Sequence, residues 1–219
     1  MSDPLIESVR KALGRSQPLT AAPIPPNIAD SVARLVAKDG NLTDLFAKSA
    51  SEAQFQLHRT RADKIASELS QFLRERQCKK VGIPASPRLE RLNIPQAITD
   101  AGAQIIRWSE STLDAAYDLD CGVTDVYAAV AETGSLVIRP GTHHGRALSL
   151  VPPIHVAIVE PADIVADLID LLEKIESSDR VPNITLITGP SKTADIEGAL
   201  VTGVHGPGVV RVYLISPTL

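Results

Sequence analysis

The sequence predicts an α/β protein: an open, mainly parallel sheet flanked by helices, with a helical N-terminal arm. Three observations predict it. From about residue 79 onward, short runs rich in Val and Ile alternate with helical repeats, the strand–helix–strand order of a parallel sheet. Aromatic residues make up only 3% of the 219 residues, so the core must be built from Val, Ile, Leu and Ala rather than from the rings of a β-sandwich. The run IHVAIVE at 154–160 is apolar without alternation, which marks a strand covered on both faces.

The elements follow in order. Residues 2–13 read as a helix with Leu5, Val9 and Leu13 on one face and Gly14 as its stop. SQPLTAAPIPP (16–26) reads as an extended linker. Helices over 28–38 and 42–49 complete an arm of residues 1–50, with the α/β domain over 51–219. Thr60 is placed to cap a helix over 60–76, whose stripe is Ile65, Leu69, Phe72 and Leu73. Strands are expected at 79–85 and 103–108, around a helical stretch 87–102 broken at Pro95. Within 121–140, VYAAVAE and SLVIR flank Thr133-Gly134, a tight hairpin in which Gly134 takes a positive φ. A helical turn at 145–150, the strand 154–160 and a helix 162–176 opened by Pro161 come next. A strand over 183–189, a helix over 193–203 and a strand over 209–215 close the chain.

Composition narrows the function. The 22 basic and 26 acidic residues leave a net charge of −4, and no basic run is long enough for a nucleic-acid footprint. No apolar stretch reaches the ~20 residues that span a bilayer, and the N-terminus is too polar for a signal peptide, so no membrane span and a cytoplasmic location are expected. Cys78 and Cys121 belong to no C-x-x-C pair, so the chain alone is not expected to hold an iron–sulfur cluster or a four-cysteine zinc.

The stretch LITGPSKTADIEG (186–198) has the chemistry of an anion site if a strand passes there into a helix. Gly189 permits close approach and Pro190 stiffens the turn. Ser191 and Thr193 offer hydroxyls, Lys192 offers a charge, and free amides with the positive end of the helix dipole point to the same place. The competing reading is a well-capped helix, with Ser191 or Thr193 as cap and Asp195 and Glu197 in its first turn. Neither a Walker A loop nor G-x-G-x-x-G is present. Glu132, at the end of an apolar run, is a candidate nucleophile, acid/base or hydroxyl acceptor, or else an exposed hairpin residue. His205, in GVHGPG, has a hydrogen-bonding or ligand role. GTHHGR (141–146) places His143, His144 and Arg146 between glycines, and His155 opens an apolar strand. These histidines match no zinc spacing, so no metal is expected.

CGVTDVYAAVAETGSLVI, RALSLVPPIHVAIVE and ITGPSKTADIEGALVTGVHGP, taken together, resemble the LUD family over roughly residues 55–217, most densely from 121 onward. The resemblance implies a fold like that of the CoA-transferase, ribose-5-phosphate isomerase and glucosamine-phosphate deaminase group. It also implies a part in oxidising L-lactate to pyruvate, alongside a partner with cysteine-rich motifs and a partner that carries iron–sulfur clusters. It singles out Glu132, Thr133 and Gly134, His155, Gly189 to Ser191, Thr193, Asp195 and Glu197, and His205 to Pro207. The expected site thus has Glu132 and His205 as catalytic candidates. Thr133, Gly134, Gly189, Ser191, Lys192, Thr193 and Asp195 would hold a small carboxylate or phosphate at the carboxyl edge of the sheet. A non-catalytic assembly or regulatory subunit and a CoA-transferase-like enzyme acylated on Glu132 are the alternatives.

Overall fold

The computed structural model describes residues 4–15, 17, 34–38, 40–110, 114–141, 144–177, 183–196 and 199–216. Contacts divide the chain into two units, residues 1–33 and 34–219. The smaller unit holds helix α1 (Pro4–Ala12), whose Leu5, Ile6 and Val9 are exposed, as is Leu13 just beyond it.

The larger unit begins its regular structure with α2 (Leu42–Glu52), capped by Asn41, whose side chain accepts from the Asp44 amide. It continues with β1 (Gln56–Arg61), α3 (Ile65–Glu75), β2 (Lys80–Ile83), α4 (Pro87–Arg91), α5 (Ile94–Asp100) and β3 (Gln104–Arg107). β4 (Cys121–Asp125), β5 (Ala128–Val130), β6 (Ser135–Ile138), α6 (Ala147–Leu150) and β7 (Ile154–Val159) follow. The last elements are β8 (Ile164–Val165), α7 (Leu168–Glu176), β9 (Thr185–Ile187), β10 (Lys192–Ile196), β11 (Ala199–Thr202) and β12 (Val209–Ser216).

Six strands form a wholly parallel sheet in the order β1-β12-β7-β4-β2-β3. A smaller mixed sheet has the order β8-β5-β6-β9. On one face of the parallel sheet, Ile65, Leu69 and Leu73 of α3 and Ile94 and Ile98 of α5 pack against Val81, Val123, Val156 and Tyr213. On the other face, Val210, Val212 and Leu214 meet Phe46 and Ala50 of α2 and Leu136 and Ile138 of the mixed sheet. The second covering layer is therefore largely a sheet, where repeated strand–helix units would have placed helices. Among the described residues, no helix is long and apolar enough to cross a membrane.

The structure departs from the sequence expectations at several elements. Residues 192–196 and 199–202 pair as antiparallel strands, β10 with β11, and are not a helix. Thr193, Ile196, Val201 and Thr202 are β-branched, and a glycine in mid-helix costs about 1 kcal/mol, so strand preference prevails. Thr60 lies in β1 rather than capping a helix; α3 starts at Ile65 with no side-chain cap. Pro161 opens a single 3₁₀ turn that passes into β8, and α7 begins only at Leu168, where Asp167 accepts from the Asp170 amide. The helix expected over 28–38 falls partly outside the described residues, and residues 34–38 are not helical. The helix counted with the arm as 42–49 belongs to the larger unit as α2, with Phe46 and Ala50 fully buried.

Candidate functional site

The segment after β9 does not sit where the sequence suggested. β9 is an edge strand of the mixed sheet, and a hairpin strand, not a helix, follows Ser191. The helix dipole invoked for an anion is therefore missing from this turn. The turn is instead held by backbone bonds. The Ser191 amide donates to the Pro207 carbonyl (2.9 Å), and the Gly203 amide donates to the Ser191 carbonyl (2.8 Å). These bonds bring the return 203–208 against the 188–191 turn and form a cavity of about 360 Å³, within the range of small-molecule sites. Thr188, Gly189, Ser191, His205, Gly206 and Leu150 contribute to its wall, and among the described residues no carboxylate does.

A row of hydroxyls leads to this cavity from the β5–β6 turn. Thr133 Oγ1 and Ser135 Oγ lie 2.7 Å apart, and Ser135 Oγ and Thr188 Oγ1 lie 2.7 Å apart. Two such links use two of the three hydroxyl protons, so one remains for a further acceptor. The two turns rest on the same end of α2. Gly134 has φ +68°, as expected, and a Cβ there would lie 2.3 Å from the Ala50 nitrogen. Gly189 has φ +102°, and a Cβ there would lie 2.5 Å from the Ala53 carbonyl oxygen.

The structure thus brings Gly189, Ser191 and His205 to one cavity and ties Thr133 to it through hydroxyls. Glu132 is half-buried, its amide bonded to the Ala166 carbonyl (3.0 Å), and its side chain is not in that wall. Lys192 and Thr193 lie in β10, also outside the wall, and Asp195 belongs to the same strand.

A second region, which the sequence marked only through GTHHGR and His155, lies at the carboxyl end of the parallel sheet. The chain leaves β2 toward β3 on one side and returns as β4 on the other. β2 and β4 are thus the topological switch point, where open α/β sheets open a crevice for ligands. Ser86, which follows β2, donates to Asp125 Oδ2 at the end of β4 (2.7 Å) and caps α4. His144 Nδ1 lies 3.9 Å from Asp125 Oδ1, beyond hydrogen-bond length but close enough to feel the carboxylate's charge. Behind them His155 is wholly buried, with its Nε2 bonded to Thr124 Oγ1 at 2.9 Å.

Burial pushes the His155 pKa down to about 3, with the neighbouring His144 ring adding to the effect. Burial also lowers the pKa of His144, against the pull of the Asp125 carboxylate. Both rings are therefore neutral near pH 7. His144 also lines a cavity of about 350 Å³ with Trp108, Gly145, Arg146 and Leu150. Among the described residues, no cluster of three His, Cys, Asp or Glu side chains is arranged to hold a metal ion.

Fold and cavities together define a class: an open parallel α/β domain with two cavities that meet at Leu150 of α6. The chain matches the LUD domain over residues 43–215 and belongs to that family. Curated relatives are named lactate utilization protein C. The protein from Halalkalibacterium halodurans is 26% identical, over 76% of this chain and 75% of that protein. The one from Geobacillus thermodenitrificans is 28% identical, over 94% and 92%. The one from Bacillus subtilis is 33% identical, with 61% of each chain covered. Among solved structures, a DUF162 family protein from Deinococcus radiodurans superimposes with a TM-score of 0.59 at 21% identity, covering 80% of this chain and 96% of that one. That likeness concerns the fold alone.

Proposed function

We propose that this chain is the cluster-free component of an L-lactate oxidation system, and that it holds a small anionic metabolite in the 188–207 cavity. Iron–sulfur clusters and cysteine motifs would reside on partner chains. The names of the relatives support the lactate role. The observation that carries the anion is the cavity wall: the hydroxyl residues Ser149, Thr188 and Ser191, an imidazole and closely approached glycine backbone, with no carboxylate among the described residues that line it. Ser191 and His205 hold the anion, and Thr188 donates the hydroxyl proton left over from its row. Cys78 and Cys121 are both buried in the core, which suits a chain that leaves metal–sulfur chemistry to its partners.

Calorimetric titration with lactate, pyruvate and inorganic phosphate tests this reading. One of the three should bind, and Ser191→Ala and His205→Ala should each weaken it about 5- to 20-fold, equivalent to roughly 1–2 kcal/mol for one lost hydrogen bond. Affinity unchanged in both variants removes the anion from this cavity.

A further inference from the structure

The switch-point crevice carries a group that no role described so far uses. His144 Nε2 is buried and has no hydrogen-bond partner, although buried polar atoms are nearly always paired. Its other nitrogen, Nδ1, faces Asp125, and Asp125 is fixed from its far side by Ser86. A carboxylate beside Nδ1 favours the tautomer with the proton on that nitrogen, which leaves a lone pair on Nε2. This ordering of acceptor, orienting carboxylate and anchoring hydroxyl is that of an acid–base group held ready for a substrate.

The adjoining cavity has matching chemistry. Arg146 stands in its wall, exposed and with no ion-pair partner among the described residues. The Trp108 ring closes on the loop at Gly145, where a Cβ would lie 1.9 Å from the ring, so only glycine lets the aromatic wall form. Ala147, Leu150 and Val151 add to an apolar lining, and among the described residues no carboxylate contributes. A guanidinium suits a carboxylate, bidentately where geometry permits. A buried imidazole lone pair suits an O–H or N–H donor.

We propose that Asp125, His144 and Arg146 form a second ligand site, distinct from the 188–207 cavity, for a small carboxylic acid bearing a hydroxyl group. Arg146 pairs with the carboxylate. His144 Nε2 accepts the hydroxyl hydrogen bond and selects for that group. Asp125 is a positioning residue that holds the ring, and His155 forms the buried backing. The site stands at the carboxyl end of β4, next to the strand that reverses the sheet order, and does not depend on which anion occupies the other cavity.

Histidine-labelled NMR on the full chain reads the two sites separately, because His144 and His205 are different rings. The His144 resonances are assigned by their loss in His144→Gln. Adding lactate to the unmutated protein should shift the His144 resonances, and propionate, of the same skeleton without the hydroxyl, should do so at least 10-fold more weakly. Arg146→Leu should weaken both acids at least 10-fold while leaving the His155 resonances in place as a check on folding. Asp125→Asn should reduce the preference for lactate without abolishing propionate binding. A His144 signal that is stationary with both acids, or that moves equally with both, overturns the site. Movement at His205 without movement at His144 overturns it too, and leaves the anion reading of the other cavity standing.

Discussion

The two cavities flanking α6 share Leu150 and differ in almost everything else. The 188–207 cavity is made by the 188–191 turn, seated on the end of α2, and by the 203–208 return bonded to it, and its polar groups are hydroxyls and an exposed imidazole. The cavity beside the switch point is made by Trp108, the loop 140–146 and α6; its polar side chains are a largely buried imidazole, with the Asp125 carboxylate behind it outside the wall, and an exposed guanidinium. One is specified locally by a glycine-rich sequence. The other is specified by the order in which distant strands were laid down. A loop can be read as a site from its own residues, whereas a strand-end site exists only once the sheet order is known.

Acid should separate the two regions most sharply. His155 binds its proton only near pH 3 in the folded chain, against an ordinary value of 6.5, so the unfolded chain binds more protons between those limits. Stability is fully present above about pH 6.5 and is lost as the pH falls toward 3, by about 4 kcal/mol between pH 7 and pH 3.5. Urea unfolding of the native chain and of His155→Gln across this range checks it. The variant should lack that part of the slope, and parallel curves would mean that the ring is not kept neutral by the fold.

The next largest effect is expected on the hairpin side. Gly134→Ala sets a side chain against the α2 backbone at a positive φ and should cost about 2–3 kcal/mol. It should weaken anion binding in the 188–207 cavity and leave the His144 response to lactate intact. Chemical denaturation and the labelled-histidine titration, run side by side, show whether the two cavities are independent. Thr188→Val is the mildest test. It removes the last hydroxyl of the row at nearly constant shape and should cost about 1 kcal/mol of stability. A larger share of its effect should appear in anion affinity, and a loss confined to stability would make the row structural only.

Much of the fold was legible. β2, β3, β7 and β12 lie on the apolar runs that marked them, because buried parallel strands need side chains that are apolar on both faces. β1 was missed for the opposite reason: QLHRTR is an edge strand with only Thr60 buried, and its composition is that of a polar loop. The hairpin at 192–202 was read as a helix because charged and apolar residues there also fit a short amphipathic stripe. That error removed the dipole argument and left the residues themselves in place. At the switch point, His144 and Arg146 drew attention through GTHHGR, but the histidine was weighed only against zinc spacings and the arginine was given no role. Ser86 and Asp125 carry no motif, and their meeting across 39 positions depends on β2 and β4 being neighbours. The one sequence signal available was a carboxylate at the end of an apolar strand, CGVTD.

The last turn of α2 acts as a common mould for the β5–β6 turn and for the turn after β9. Inserting one residue there would swing the following backbone by about 100° around the helix axis. Both loops would lose their seat together, although neither had been altered. The N-terminal boundary of a stable domain therefore has to be drawn ahead of Asn41, since any shorter version would begin inside the surface that seats these two turns.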